Sequence, residues 1–70
     1  MNKAYLQKLA NRIKELRSQK GLTQDDLASE SVSRGMISLL ETVRTDITVS
    51  KLKNIADNLG VSMKDLFDFD

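Results

Sequence analysis

Apolar residues in the N-terminal part of the chain recur every three or four positions. This spacing repeats on one face of a helix, and it is set by Leu6, Leu9, Ile13 and Leu16. Gly21 follows, and glycine readily takes the positive φ found just past a helix end. The pattern therefore predicts a first helix from about Ala4 to Gln19.

A second helix is predicted to begin at Thr23. The Thr23 hydroxyl can accept a hydrogen bond from a free N–H group of the first turn, and Asp26 three residues later completes a capping box. The apolar contacts of this helix would come from Leu22, Leu27 and Ala28. We expect it to run to about Glu30.

A third helix is predicted after a very short connection. Ser33 is its cap, it spans about Arg34 to Thr42, and Ile37 and Leu40 face inward. Two short helices joined by about 3–4 residues are typical of a helix-turn-helix. In that arrangement the second of the two helices can enter the major groove of DNA.

Two more helical segments complete the chain. Thr48 caps a fourth helix that ends at Gly60, and its buried stripe consists of Leu52, Ile55, Ala56 and Leu59. Ser62 and Asp65 form a second capping box before a last short turn that holds Leu66 and Phe67. Because no segment alternates with period two, no strand is expected. The predicted fold is all-α with five helices.

The composition narrows the possible chemistry. With 70 residues the chain is expected to form a single domain, residues 1–70. It has neither cysteine nor histidine, so we expect no disulfide, no metal site and no cofactor. The apolar runs are too short to span a membrane and no signal-peptide pattern is present, which favours a cytoplasmic location.

The sequence does not indicate an enzyme. Asp25 and Asp26 are adjacent, so on a helix they face different sides and cannot act as a pair. Gly21, Gly35 and Gly60 are isolated, so no glycine-rich phosphate loop is present. A chain of this size also has little room for a pocket, and no small-molecule ligand is evident.

Charge is distributed unevenly along the chain. Residues 1–24 hold six basic side chains and one acidic one, whereas the remainder holds five basic and nine acidic ones. A basic half indicates an anionic partner. A solvated helix face explains the same charges, so charge alone leaves both interpretations open.

Three stretches of the chain carry a family resemblance. "LRSQKGLTQDDLA", "VSRGMISLLE" and "KLKNIADNLGVSMKDLF" resemble the Cro/repressor family, the phage-repressor type of helix-turn-helix domain. The similarity covers about Leu9 to Phe67. It implies a five-helix domain that binds double-stranded DNA as a homodimer and regulates transcription.

The resemblance also assigns roles to residues. Thr23 and Gln24 match positions that clamp the DNA backbone, and Arg44 matches a phosphate-contacting position. The positions that face base edges are occupied by Arg34, Gly35, Ser38 and Leu39. Of these, only Arg34 is a good base reader, since its guanidinium can bind guanine O6 and N7.

Other residues are assigned to folding and assembly. Arg17 and Glu41 match a pair that forms an internal salt bridge between the first and third helices. Leu66, Phe67 and Phe69 exceed what a short last helix would bury, so a dimer contact is expected there, with a frayed tail as the alternative. For Met36 and Leu39 the sequence leaves three roles open: packing in the core, contact with a partner protein, or contact with DNA.

The chain departs from the family pattern in two places. Ser31 joins Val32 directly, where the family has one more residue, so the turn is one residue short. We expect the second helix to give up a residue at its end, with local strain around residues 30–32. Val43 stands where the family often has glycine, and since a β-branched residue is costly at positive φ, the third helix is expected to end by another route.

Two functions of different class follow. The first is a sequence-specific regulator acting as a homodimer on a pseudo-palindromic operator, with the helix at about residues 33–42 in the major groove. The second is a protein-binding module on the same fold, in which the short turn weakens DNA binding and Met36 and Leu39 form an apolar patch.

Overall fold

The computed structural model describes residues 1–69, which form helices and turns without a strand. The elements in chain order are α1 (Lys3–Gln19), a single 3-10 turn (Asp25–Leu27), α2 (Arg34–Glu41), α3 (Val49–Leu59) and α4 (Met63–Leu66). The all-helical prediction is confirmed. The prediction of five helices is wrong, because the described residues contain four α-helices and the second predicted helix is only the 3-10 turn.

The caps predicted from sequence organise the remaining helices. Ser33, Thr48 and Ser62 each accept a hydrogen bond from a backbone N–H of the first turn that follows. The capping box of Ser62 and Asp65 is complete. The helix α1 begins one residue before the predicted start, because the Asn2 side chain accepts from the Tyr5 N–H at 3.1 Å.

One continuous core connects all the elements. Each helix contributes the face that its apolar spacing predicted, and Val32 joins the core from the connection before α2. The fully buried large side chains are Ile13, Leu27, Val32, Ile37, Leu40, Ile55, Leu59 and Leu66. These contacts hold the exposed side of α2 in a defined orientation relative to α1.

The backbone after Leu27 shows where the second predicted helix is lost. Ala28 takes an extended conformation with ψ 152°, so the 3-10 turn ends there. Leu27 and Val32 are both fully buried, so the core holds both ends of the short connection.

The lost helical hydrogen bonds are replaced from α3. Asn58 Nδ2 donates to the Leu27 carbonyl at 2.9 Å and lies 3.4 Å from the Ala28 carbonyl. Asn54 Nδ2 donates to Ser31 Oγ at 2.9 Å. The second helix is therefore shortened by far more than the one residue expected. Hydrogen bonds from α3 hold the segment in its non-helical conformation.

Neither expectation about backbone strain is confirmed. Ser29 and Val32 exchange two backbone hydrogen bonds across a tight turn, and no residue from 30 to 32 has a positive φ. Val43 does have a positive φ, 58°, and is the only such non-glycine among residues 1–69. The expectation that this helix ends by another route is therefore wrong, because α2 ends with a left-handed residue where the family often has glycine.

The hydrogen bonds around Val43 give the reason. The Val43 N–H donates to the Leu40 carbonyl at 3.0 Å, and the Arg44 N–H donates to the Leu39 carbonyl at 2.8 Å. This pair of bonds is the Schellman arrangement, which requires a left-handed residue just past the helix. The two satisfied carbonyls offset the steric cost of the valine side chain.

Candidate nucleic-acid interface

An open groove of about 520 Å³ lies where the end of α1, the 3-10 turn and the start of α2 meet. It is lined by Arg17, Leu22, Thr23, Gln24, Asp25 and Arg34. The structure thus brings three predicted DNA-binding residues, Thr23, Gln24 and Arg34, to one surface. Asp25 is an acidic member of this surface that sequence reasoning did not assign to it.

Arg17, which lines the groove, is held in place by Glu41. Arg17 Nε donates to Glu41 Oε2 at 2.9 Å and Nη2 donates to Oε1 at 3.0 Å, so the pair is bidentate. Arg17 Nη1 also donates to the Leu22 carbonyl at 3.0 Å. Because Glu41 is only 3% exposed, removing Arg17 would leave a buried carboxylate without its partner. The pair joins α1 to α2.

Gln24 is tied to the same carboxylate. Its Nε2 donates to Glu41 Oε1 at 3.1 Å, and the side chain is half-buried. One amide hydrogen of Gln24 is therefore committed inside the protein, and the other remains for an outside acceptor. Gln24 is positioned by α2, although it precedes α2 by ten residues.

Thr23 and Asp26 form the capping box predicted for this segment. The Thr23 N–H donates to Asp26 Oδ2 at 2.8 Å, and the Asp26 N–H donates to Thr23 Oγ1 at 3.1 Å. The backbone N–H of Thr23, and secondarily its side chain, hold the pKa of Asp26 below its ordinary value. The cap keeps the start of the turn in place although no α-helix follows.

Arg34 stands at the point where the groove meets α2. It is the first residue of α2, it is exposed, and it forms no ion pair with any of residues 1–69. Ser33 Oγ accepts from the Met36 N–H at 3.1 Å and so starts the helix directly behind it. The guanidinium is therefore available to a ligand at the mouth of the groove.

The outer face of α2 is small and apolar at its centre. Gly35 and Leu39 are exposed, Ser38 is half-buried, and Met36 is half-buried against the core cluster. Thr42 is also exposed on this face, one turn beyond Leu39. Sequence reasoning did not single out Thr42, although its spacing of seven residues from Gly35 places both on one stripe.

Arg44 lies beyond the other end of α2. It is exposed and has no ion-pair partner within the described residues. The left-handed Val43 turns the chain just before it. Two arginines, Arg34 and Arg44, consequently bracket the exposed face of α2.

The predicted dimer residues lie at the opposite, C-terminal part of the fold. Leu66 is fully buried in the protomer, whereas Phe67 is 37% exposed and Phe69 is half-buried. Tyr5 joins them in an aromatic cluster, its ring centroid 5.4 Å from that of Phe69 and 6.3 Å from that of Phe67. Any surface available for a contact here belongs to the aromatic cluster of Tyr5, Phe67 and Phe69.

Comparison with known families agrees with this geometry. Residues 13–66, most of the chain, match the helix-turn-helix family of phage-repressor type. The chain belongs to this family. The match includes the groove, α2 and Arg44, which are the parts described above.

A solved structure has the same fold over nearly the whole chain. It is the crystal structure of a single-substitution mutant of the restriction-modification controller protein C.Esp1396I, with a TM-score of 0.85 and 35% sequence identity. The match covers 97% of this chain and 87% of that one. No curated protein matches the sequence. Family and structural neighbour together make this helix-turn-helix protein a DNA-binding regulator of transcription.

None of the helices in residues 1–69 combines the length and the apolar character that crossing a bilayer requires.

The surface of this helix-turn-helix protein has cations without an ion-pair partner beside α2. Within the described residues the ion pairs use only Arg12, Arg17 and Lys53. Arg34 and Arg44 are therefore free to meet phosphates or bases.

Proposed function

We propose that this protein is a sequence-specific regulator that binds duplex DNA as a homodimer on a pseudo-palindromic operator, with α2 in the major groove. The observation that carries the proposal is the groove between the 3-10 turn and α2, which gathers Thr23, Gln24 and Arg34 beside the exposed face of α2. An α-helix with its side chains is ~10–12 Å in diameter, which suits a major groove ~12 Å wide.

Phosphate contacts at both ends of α2 would hold the helix in the groove. Thr23 and Gln24 provide polar groups at one end, and Gln24 keeps one amide hydrogen free after its bond to Glu41. Arg44 provides a cation at the other end. Contacts of this kind fix register and orientation on the duplex but do not read sequence.

Sequence would be read from the surface of α2. Arg34 is suited to guanine, because its guanidinium can donate to O6 and N7 together. Ser38 can bond to several base edges, and Gly35 permits close approach of the backbone. Occupying the operator then blocks or recruits polymerase. Because the matched structure is that of a restriction-modification controller protein, genes of such a system are the first candidates for regulation.

The dimer is proposed to form through the aromatic cluster. Phe67 and Tyr5 are exposed and Phe69 is half-buried beside them, so an isologous contact would cover all three rings. Two-fold half-sites lie ~34–36 Å apart. A protomer 26 Å long allows two contacting copies to place their α2 helices at that separation.

The proposed role needs no catalysis and no cofactor, and it places the protein with the DNA in the cytoplasm. A regulator of this type acts by occupancy alone, so its properties should follow from affinity, specificity and salt concentration. Repression and activation are both compatible with this mechanism, and the position of the operator relative to the promoter decides between them.

A selection from a random duplex pool tests the proposal. We expect a two-fold symmetric motif with guanine at fixed positions, enriched in low and in raised salt. The double variant Arg34→Ala/Arg44→Ala should lose the motif, while Lys64→Ala, which removes a cation from α4, should retain it. Retention without a motif would mean phosphate binding only. No retention even in low salt, together with a tight protein partner in a pull-down, would favour the protein-binding module.

A further inference from the structure

The exposed stripe of α2 has a chemical character that the phosphate and guanine contacts do not explain. Gly35, Leu39 and Thr42 follow one another at spacings of four and three residues, which places them on the side opposite Ile37 and Leu40. Leu39 is 45% exposed there. A large apolar side chain therefore occupies the centre of the face proposed to enter the groove.

Thr42 extends this apolar character. Its Oγ1 donates to the Ser38 carbonyl at 2.9 Å and lies 3.3 Å from the Leu39 carbonyl. The hydroxyl hydrogen is thus committed to the helix itself, so Thr42 cannot donate to a base. The γ-methyl group of Thr42 is therefore the part of the side chain that can make an apolar contact with a ligand.

Gly35 gives this stripe room. A Cβ atom at Gly35 would meet only Ser33 Oγ, at 3.9 Å, so the space outside the helix is open. Arg34 and Arg44, both exposed, stand beyond the two ends of the stripe. An apolar surface bracketed by two free cations suits DNA better than an apolar protein partner, because the phosphates on either side would neutralise the arginines.

We infer that Leu39 and Thr42 recognise the 5-methyl group of a pyrimidine in the major groove. This inference rests on the proposed function and specifies the bases that α2 reads. The methyl group is the apolar feature among the base edges of the major groove, which otherwise present hydrogen-bond donors and acceptors. Thymine and 5-methylcytosine carry it at the same ring position, so both are candidate ligands.

The test uses the 70-residue chain and the best duplex from the random-pool selection. Each thymine is replaced singly by uracil, which removes only the methyl group, and each cytosine is replaced singly by 5-methylcytosine. Affinity is measured by fluorescence anisotropy at one fixed salt concentration. We expect uracil to weaken binding about three- to five-fold at one or two positions per half-site, the effect of one buried methyl-sized group.

Variants connect the effect to the two side chains. Leu39→Ala and Thr42→Ser should each reduce the difference between thymine and uracil, whereas Leu39→Met and Thr42→Val should preserve it. Thr42→Ser and Thr42→Val form a matched pair, because the first loses the methyl group and the second loses the hydroxyl. Urea unfolding of each variant checks that the fold is retained, and the double-mutant cycle isolates the contact.

The outcomes separate this inference from the proposed function. If uracil leaves the affinity unchanged and 5-methylcytosine raises it, the inference is supported with 5-methylcytosine as the ligand. An enriched motif whose binding ignores every methyl change would overturn the inference alone. So would a uracil penalty that stays unchanged in both Leu39→Ala and Thr42→Ser. A pool that enriches no motif would overturn the proposed function and this inference with it.

Discussion

Arg34 and Arg44 are both exposed and unpaired among residues 1–69, yet their surroundings differ. Arg34 begins α2 and lines the groove with Gln24, so in the proposed complex it would reach base edges in the major groove. Arg44 follows the helix after the left-handed turn at Val43, where the DNA backbone would pass. The two arginines should therefore affect binding in different ways.

Arg34→Ala is expected to relax the preference for guanine at one position, with a loss of about 1–3 kcal/mol on the best sequence. Arg44→Ala should weaken binding to all sequences alike and reduce the slope of log affinity against log salt by about 1. Titrations of one specific and one random duplex at several salt concentrations measure both quantities. Equal factors on every sequence for both variants would contradict these roles.

Asp26 is a single residue that should make the free energy of unfolding depend on pH. Hydrogen bonds from Thr23 lower the pKa of Asp26 in the folded state, so the unfolded chain binds a proton more readily. The stabilisation is therefore present above about pH 4, the ordinary range of an aspartate pKa, and is lost as the pH falls through the lower folded pKa. Asp26→Asn should destabilise the protein at pH 7, and the gap to wild type should close near pH 2. Urea unfolding at both pH values measures it, and a gap that stays constant would contradict the capping role.

At the scale of elements, the segment from the 3-10 turn to Val32 depends on α3. The turn provides few hydrogen bonds of its own, and the carbonyls of Leu27 and Ala28 are directed at Asn58 instead. Because Thr23 and Gln24 directly precede this segment, α3 indirectly holds one side of the proposed DNA-binding groove.

Removing this support should lower stability measurably. Asn58→Ala leaves a partly buried carbonyl without its donor, and we expect a loss of about 1–2 kcal/mol in the free energy of unfolding. Asn54→Ala is the matched control, since its bond to Ser31 is exposed and should contribute less. Chemical denaturation compares the two variants, and equal losses would show that Asn58 has no special role.

The backbone at the end of α2 is strained, and a substitution at Val43 can relieve this strain. Val43 has a φ of 58°, a conformation that costs a residue with a side chain of order 1–3 kcal/mol. Val43→Gly should therefore raise the free energy of unfolding by about 1 kcal/mol after the extra entropy of glycine in the unfolded chain is included. Val49→Gly, in the first turn of α3, should give no gain. Thermal unfolding distinguishes the two, and a destabilised Val43→Gly would contradict the strain argument.

At the scale of the whole molecule, small size makes association valuable. The radius of gyration is 10.7 Å, and a domain of about this size buries only ~60% of its unfolded surface. The aromatic cluster leaves Phe67 and Tyr5 exposed close to α4. Arg12 holds this region to α1, since its Nε donates to the Asp65 carbonyl at 2.9 Å. The cluster is thus the surface that we propose for contact with a second copy.

Phe67→Glu should shift the protein from dimer to monomer, because a contact between two copies would bury the new charge twice. Sedimentation at several concentrations measures the change, and the unfolding temperature of the variant should lose its dependence on concentration. Val49→Glu changes another exposed apolar residue away from the cluster and should leave the assembly intact. A dimer that tolerates Phe67→Glu would place the interface elsewhere.

The amino-acid sequence alone was enough to locate the helices that begin with a local cap and continue with a regular apolar stripe. Ser33, Thr48 and Ser62 mark three helix starts correctly, and Gly60 ends α3 with a positive φ of 74°. These features involve residues three or four positions apart, so their physical causes lie within the segment itself.

Tertiary structure decided the features that depend on distant points. The capping box at Thr23 predicts a second helix as well as any local signal can, but Ala28 is extended and side chains of α3, including Asn58, bind the carbonyls that a longer helix would have used. Val43 tolerates its strained φ because its own N–H and that of Arg44 satisfy two carbonyls at the end of a helix that packing already fixes. The groove exists for the same reason, since the ion pair of Arg17 and Glu41 spans 24 residues. Local hydrogen bonds at the caps determine where the helices start, and tertiary contacts determine where they end.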